Sequence, residues 1–242
     1  QRGSAGGIQY TDGIVGSNIN ESIFNNIKIH SLYLGANGIY LTDSHILEFT
    51  HNEITVLGNE GIYNTLGHNS IFSNNTISSG SRGIYNYGGY NSIYENNIIS
   101  SPGTGIEANE GSESNFSGNQ ISGPTGTTNG IWAPYSDHSS AQNNTIVASE
   151  RGIYFSYCPS STIENNHLTG RLGWAAIDIG HSDESLINNN YIDRTEQLTW
   201  FNIDDEKFVI QATNSNESVI SNNTIIESYD GGFWAIDNLY YI

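Results

Sequence analysis

Residues 61–100 read GIYNTLGHNSIFSNNTISSGSRGIYNYGGYNSIYENNIIS, and this stretch holds two copies of one pattern set 22 residues apart. In each copy a Gly-Ile-Tyr group is followed, fourteen residues after its glycine, by an asparagine. The apolar runs between the polar turns are too short for helices and are interrupted by Gly and Asn. The stretch therefore predicts a repeat of short strands.

The same two markers recur along nearly the whole chain. The Gly-Ile pair or a variant of it begins at Gly13, Gly38, Gly61, Gly83, Gly105, Gly130, Gly152, Ala176 and Gly232. The second marker is Asn26, Asn52, Asn75, Asn97, Asn119, Asn144, Asn166, Asn190 and Asn223. Because one such repeat cannot bury its own apolar face, stacked repeats must share a core. We predict an all-β fold, a right-handed parallel β-helix of about nine rungs with 22–25 residues each.

The marker asparagine is expected to lie inside a turn, with its amide bonded to the asparagine of the next rung. Gly and Asn also tolerate left-handed turn conformations. The residue three before the marker, from Ile23 and Phe49 onward, is apolar and should point into the core. We interpret residues 1–242 as one domain with repeats over roughly 8–242. A 33-residue gap between Asn190 and Asn223 predicts a loop insertion at roughly 193–206.

Composition limits the classes of function. The chain has 25 acidic and 7 basic residues, a formal net charge of −18, which disfavours nucleic acid and anionic membrane as partners. No apolar run is long enough for a membrane span, and the single cysteine, Cys158, excludes an intrachain disulfide. The polar, weakly charged composition is typical of an extracellular or cell-surface protein. The absence of methionine predicts a chain processed from a longer precursor.

The repeat GIY…SIFSNNTI…GIYNYGGYNSIYENNII resembles the parallel β-helix repeats of secreted carbohydrate-active proteins. It is also similar to repeats in archaeal surface and sheath proteins, those of methanogens especially. The resemblance covers roughly residues 8–242 and implies the fold. That fold hosts lyases, hydrolases, epimerases, adhesins and assembly proteins, so the resemblance implies no single activity.

An aromatic stripe is predicted along one face of the rod. If the isoleucine of each Gly-Ile pair points inward, the residue after it points outward. The predicted stripe consists of Tyr40, Tyr63, Tyr85, Trp132, Tyr154 and Trp234. Such rings can form a ladder that stabilises the sheet, pack against another subunit, or stack on sugars.

Asp178, His181 and Asp183 are the candidate catalytic residues under an enzyme interpretation, because paired carboxylates with a histidine suit a glycoside hydrolase. The same carboxylates favour calcium, and a solvated acidic turn is the structural alternative. We predict no cofactor other than calcium. Candidate N-glycosylation sequons begin at Asn20, Asn74, Asn115, Asn143, Asn216 and Asn222.

The sequence favours an extracellular structural protein that self-assembles into a surface layer, sheath, tube or fibre, with itself and cell-surface glycans as partners. Rungs of 22–25 residues leave little length for loops that would wall a catalytic groove. Two arginines, Arg82 and Arg151, precede Gly residues, but the basic residues are too few and scattered for a lyase. The alternatives are a polysaccharide-active enzyme and a carbohydrate-binding adhesin.

Overall fold

The computed structural model describes residues 12–123, 129–170, 172–194, 208–227 and 234–236. In these residues 28 strands form three sheets in which every pairing is parallel. Each turn of the chain contributes one strand to each sheet in a fixed order. The architecture is the predicted right-handed parallel β-helix.

The bounds of the described strands follow sheet by sheet. The first sheet contains β1 (Ile14–Ser17), β4 (Ile39–Thr42), β7 (Ile62–Thr65), β10 (Ile84–Tyr87), β13 (Thr104–Asn109), β16 (Asn129–Trp132), β19 (Arg151–Ser156), β22 (Ala175–Gly180), β25 (Phe208–Thr213) and β28 (Trp234–Ile236). The second contains β2 (Ile23–Asn25), β5 (Glu48–Thr50), β8 (Ile71–Ser73), β11 (Ile93–Glu95), β14 (Asn115–Ser117), β17 (Ser140–Gln142), β20 (Thr162–Glu164), β23 (Leu186–Asn188) and β26 (Val219–Ser221). The third contains β3 (Lys28–Ser31), β6 (Glu53–Val56), β9 (Thr76–Ser78), β12 (Ile98–Ser100), β15 (Gln120–Ser122), β18 (Thr145–Val147), β21 (His167–Thr169), β24 (Tyr191–Arg194) and β27 (Thr224–Glu227).

The glycine of the Gly-Ile pair is required by close packing. A Cβ atom on Gly61 would lie 2.3 Å from Cγ2 of Ile77, which crosses the core from the third sheet. The next rung repeats this contact between Gly83 and Ile99. Neither glycine has a positive φ. These positions are therefore glycine because the recurring isoleucine leaves no room for a side chain, and not because of a left-handed backbone.

The marker asparagines form a continuous ladder, which confirms the predicted bonding between rungs. Asn75 donates its backbone N–H and its Nδ2 to Oδ1 of Asn97, at 3.1 and 2.9 Å. Its Nδ2 also donates to the carbonyl of Phe49, at 2.8 Å. Equivalent side-chain bonds join successive markers from Asn52 to Asn223. The left-handed conformation belongs instead to the residue before each marker, such as Asn74 at φ 55°.

The first rung departs from the predicted register by one residue. Phe24, not Ile23, pairs with Phe49 and stacks on its ring, while Ile23 is exposed. Asn26 has a φ of 54° and belongs to the left-handed column rather than to the ladder. The ladder position is taken by Ile27, whose N–H donates to Oδ1 of Asn52. Assigning Asn26 and Ile23 to the marker and core columns was wrong, because Asn is common at both turn positions.

Rungs beyond the predicted insertion resume in register. Asn190 bonds Asn223 across 33 residues, as Asn166 bonds Asn190 across 24. Most of the insertion predicted at 193–206 lies outside the described residues.

Two asparagines interrupt the apolar interior of the first sheet. Asn64 and Asn86 are fully buried, in a column where neighbouring rungs place Leu41 and Ala108. Asn86 donates Nδ2 to the hydroxyl of buried Tyr94 at 2.8 Å. Among the described residues, neither Oδ1 nor Nδ2 of Asn64 has a hydrogen-bond partner. An unpaired buried amide lowers stability.

We expect Asn64→Leu to raise the free energy of unfolding by about 1–3 kcal/mol, because it removes the unpaired amide and restores the residue found at Leu41. Urea denaturation followed by circular dichroism measures this change. The matched control is Asn86→Leu, which removes the bond to Tyr94 and should give no such gain. A lower urea midpoint for Asn64→Leu than for the wild type would contradict the prediction.

Candidate functional site

The outer face of the first sheet carries the predicted aromatic stripe. From Ile39 to Ile153 the isoleucines of the Gly-Ile pairs are buried and the residues after them are half-exposed. This outward set comprises Tyr40, Tyr63, Tyr85, Glu107, Trp132 and Tyr154 in adjacent register. Trp234 lies in β28, with its backbone paired to Gln211. Glu107 divides the aromatic stripe into two runs.

Within each run the rings stack face to face. The ring centroids of Tyr40 and Tyr63 are 4.6 Å apart, those of Tyr63 and Tyr85 are 5.0 Å apart, and those of Trp132 and Tyr154 are 4.1 Å apart. Burial raises the pKa of the Tyr63 and Tyr85 hydroxyls. Because ring faces within a run cover one another, the stripe presents mainly ring edges and hydroxyl groups to solvent. This is the arrangement of a ladder that stabilises the sheet.

The Arg82 cluster comprises Glu60, Arg82, Tyr85 and Glu107. Arg82 donates one guanidinium N–H to Oε1 of Glu60 at 3.0 Å and its Nε–H to Oε2 of Glu107 at 2.6 Å. The guanidinium also lies 4.6 Å from the ring centroid of Tyr85. Burial raises the pKa of Glu107, against the opposing effect of Arg82. Two carboxylates and a ring thus fix the guanidinium on the outer face.

The Arg151 cluster comprises Trp132, Arg151, Tyr154, Trp174 and Asp178. Arg151 donates Nε–H to Oδ2 of Asp178 at 3.3 Å. Its guanidinium lies 4.5 Å from the ring centroid of Trp174 and 5.3 Å from those of Trp132 and Tyr154. Burial raises the pKa of the Asp178 carboxyl. Trp174 is 58% exposed, so its ring extends the cluster into solvent.

The candidate catalytic residues contact different neighbours. Asp178 belongs to the Arg151 cluster on the outer face. His181 lies in the following turn, exposed, with its ring stacked on Tyr157 at 4.6 Å. Asp183 accepts the N–H of Asn216 at 2.6 Å. Asp178, His181 and Asp183 therefore each contact a different residue.

The six sequon asparagines are exposed at Asn20, Asn74, Asn115, Asn143, Asn216 and Asn222. Their side chains are thus accessible to a modifying enzyme on this rod. Glycosylation stays a prediction.

Sequence inspection missed the side chains that join the stripe into clusters. Glu60 and Arg82 occupy the same place in successive rungs, just before the glycine, and Glu107 follows in the stripe column one rung later. An acidic, a basic and an acidic residue on three successive rungs are the sequence signal that could have predicted this cluster. Trp174 had no signal, because it lies in an irregular segment before β22 and is brought to Arg151 by the turn of the solenoid.

Searches of solved structures find carbohydrate-related β-helices at low sequence identity. DFA-IIIase from Arthrobacter chlorophenolicus A6, without its lid, matches with a TM-score of 0.58 and 12% identity over 83% of this chain and 51% of that chain. Alginate lyase from Paenibacillus sp. str. FPU-7 matches with a TM-score of 0.54 and 13% identity over 91% of this chain and 97% of that chain. The tailspike of E. coli bacteriophage HK620, in complex with a pentasaccharide, matches with a TM-score of 0.56 and 11% identity over 90% of this chain and 48% of that chain. This chain spans about half the length of the first of these proteins, and the likeness is one of fold.

No curated protein sequence is significantly similar to this chain. The described residues include no helix of the length and apolarity needed to span a membrane. The model of a family described as periplasmic copper-binding protein (NosD) matches residues 25–202.

Copper is held in proteins by His, Cys or Met side chains. The chain has no Met, and its seven His and one Cys all lie within the described ranges. Burial raises the pKa of Cys158 to about 12, and this thiol donates to the carbonyl of Ala133. His45 and His68 stack at 4.9 Å, but no group of three His, Cys, Asp or Glu suited to a metal occurs among the described residues. The Nδ1 atoms of His45 and His68 have no hydrogen-bond partner among the described residues, so this pair of imidazoles is available, but it supplies fewer ligands than the three of a blue-copper site.

We therefore expect the purified chain to retain less than one equivalent of copper after gel filtration, with no change in its thermal midpoint, since a ligand that binds the native state raises stability. Elemental analysis and calorimetry measure both quantities. The control is the double variant His45→Ala, His68→Ala, which should behave like the wild type. One retained equivalent that this double variant loses would contradict the prediction.

The family model covers more than half of the chain, and the fold agrees with it. The protein therefore belongs to the NosD family of parallel β-helix proteins.

Proposed function

We propose that this protein binds carbohydrate outside the cytoplasm, through the Arg151 cluster on the outer face of its first sheet. One observation carries the proposal: Trp174, 58% exposed, packs on the Arg151 guanidinium, which Asp178 fixes in place. The family, described as periplasmic, and the alginate lyase and pentasaccharide-bound tailspike among the structural neighbours support it.

The cluster combines the groups that sugar recognition requires. An indole ring with one face against Arg151 offers its other side to the apolar face of a sugar. A guanidinium provides five N–H donors in a rigid fork, and a carboxylate provides acceptors. Because ion pairing and ring contacts already order Arg151, binding costs little additional side-chain entropy.

The geometry favours binding over hydrolysis. Glycoside hydrolases place an acid and a second carboxylate within about 10 Å across the scissile bond. Glu107 and Asp178 are three strand positions apart in the first sheet, which corresponds to about 14 Å. Glu60 and Glu107 are closer, but both bind Arg82, whose guanidinium lies between them.

The test is the binding of polysaccharides by the wild type and by Trp174→Ala, measured by affinity electrophoresis and calorimetry. We expect Trp174→Ala to weaken binding by about tenfold or more, because it removes the stacking ring. Tyr191→Ala is the control, because Tyr191 is also an exposed aromatic residue but lies on the third sheet. Equal losses in both variants, or unchanged binding by Trp174→Ala, would contradict the proposal.

Self-association into a surface structure is the second proposal. It rests on an exposed apolar patch of Leu32, Tyr33, Leu34 and Leu57, each more than half exposed. A second copy of the chain is the proposed occupant, since an apolar patch lets two strongly acidic chains associate without adding like charges to the contact. Sedimentation velocity and electron microscopy should show oligomers or fibres that Leu34→Asp disperses. A monomer at high concentration would contradict this proposal.

A further inference from the structure

We propose that the ligand is a neutral, linear polysaccharide that lies lengthwise along the outer face of the first sheet and contacts both arginine clusters. This inference rests on the proposed carbohydrate binding and adds the class, orientation and minimum length of the ligand.

The spacing of the clusters sets the orientation. Arg82 lies just before β10 and Arg151 begins β19, and β10, β13, β16 and β19 are successive neighbours in the first sheet. Three strand steps correspond to about 14 Å along the rod. The rise per rung is close to the length of one pyranose unit in a polysaccharide. A chain parallel to the rod axis therefore places about one sugar on each rung, and about four sugars span both clusters.

The described residues between the two clusters lie in register along the first sheet. Thr104 and Asn129 pair in register between the two arginine positions, and Glu107 and Trp132 pair beside them. Thr104 is buried, so the half-exposed amide of Asn129, carboxylate of Glu107 and indole of Trp132 line the path. Because the stripe presents ring edges and hydroxyls in its stacked runs, hydrogen bonding should dominate along the path and ring stacking should be concentrated at Trp174.

The net negative charge of the two clusters favours a neutral sugar. The two clusters hold two arginines against the three carboxylates of Glu60, Glu107 and Asp178, a net charge of 2 − 3 = −1. Both guanidinium groups are already ion-paired. Recognition of a uronic acid would require a cation that these carboxylates do not occupy. The chain as a whole carries −18, which further disfavours an anionic polymer.

The experiment is calorimetric titration of the full chain with neutral cello-, manno- and xylo-oligosaccharides of two to six units, and with alginate oligosaccharides of equal length. We expect affinity for a neutral series to rise up to about four units and then level off. Trp174→Ala should weaken binding at every length. Arg82→Gln should weaken binding by about tenfold only for oligosaccharides long enough to reach it. Glu107→Gln is the second variant, and the thermal midpoint of each variant controls for folding.

The possible failures are distinguishable. If no oligosaccharide or polysaccharide binds, the proposed function and this inference both fail. If sugars bind but affinity is independent of length, or Arg82→Gln and Glu107→Gln leave binding of the six-unit sugar unchanged, the lengthwise orientation is overturned. Tighter binding of alginate oligosaccharides than of every neutral series overturns the neutral class.

Discussion

Replacing Asn119 by Ala is expected to lower the free energy of unfolding by about 3–5 kcal/mol, a large effect for removing one polar side chain. Oδ1 of Asn119 accepts both the N–H and the Nδ2 of Asn97, at 3.1 and 3.0 Å. Its Nδ2 donates to the Tyr94 carbonyl and to Oδ1 of Asn144. All three asparagines are buried, so Asn119→Ala leaves two donors of Asn97 without their acceptor where water does not reach.

Urea denaturation followed by circular dichroism measures the loss. The matched control is Gln120→Ala, which removes a similar amide from the next residue, an exposed position on β15. We expect the control to change stability by less than about 0.5 kcal/mol. If Asn119→Ala and Gln120→Ala have the same urea midpoint, the ladder contributes nothing beyond the backbone pairing of the sheets.

Phe72→Ala is expected to cost about 3–5 kcal/mol, as large-to-small changes of a buried aromatic residue do. Phe72 is fully buried, and its ring stacks between Phe49 at 4.8 Å and Tyr94 at 5.0 Å. The same column contains an alanine further along the rod, at Ala141. There Phe155 of the first sheet lies 5.9 Å from Phe116 and contributes the missing ring.

No such compensation exists beside Phe72, because the first-sheet interior at that level contains Asn64 and Asn86 instead of a phenylalanine. Phe72→Ala should therefore open a cavity that its neighbours cannot fill. The control is Ile71→Ala on the same strand, whose side chain points outward. The prediction fails if Phe72→Ala costs no more than Ile71→Ala in urea denaturation.

Phe72→Ala and Asn119→Ala are expected to lower the stability of the β-helix. They therefore serve as references for variants that are expected to change sugar binding alone. Trp174 is exposed on the outer face, so Trp174→Ala should change sugar binding with little change in the urea midpoint. A variant that loses binding only by unfolding would resemble Phe72→Ala in both measurements. Comparing the midpoints of all variants therefore shows which substitutions act on the site itself.

Much of the scaffold follows from local sequence. The Gly-Ile and Asn markers predicted the rungs, the inward and outward columns and the asparagine ladder, because period and alternation are set by strand geometry. The first rung was misassigned by one residue, since Asn26 satisfies a turn as readily as a ladder position. The role of the Gly-Ile glycines also had to await the structure, because the isoleucine that contacts Gly61 comes from a different sheet.

The side-chain clusters on the outer face could not be predicted from residues within one repeat. The sequence by itself determined the parallel β-helix, its acidic charge and an outward aromatic stripe, because each depends on residues counted within one repeat or on composition. Only the tertiary structure joined Glu60, Arg82 and Glu107, or Arg151, Trp174 and Asp178, into clusters. Each arginine is 22 or more residues from the carboxylates that it binds, and they meet because the solenoid returns the chain to the same face at each turn.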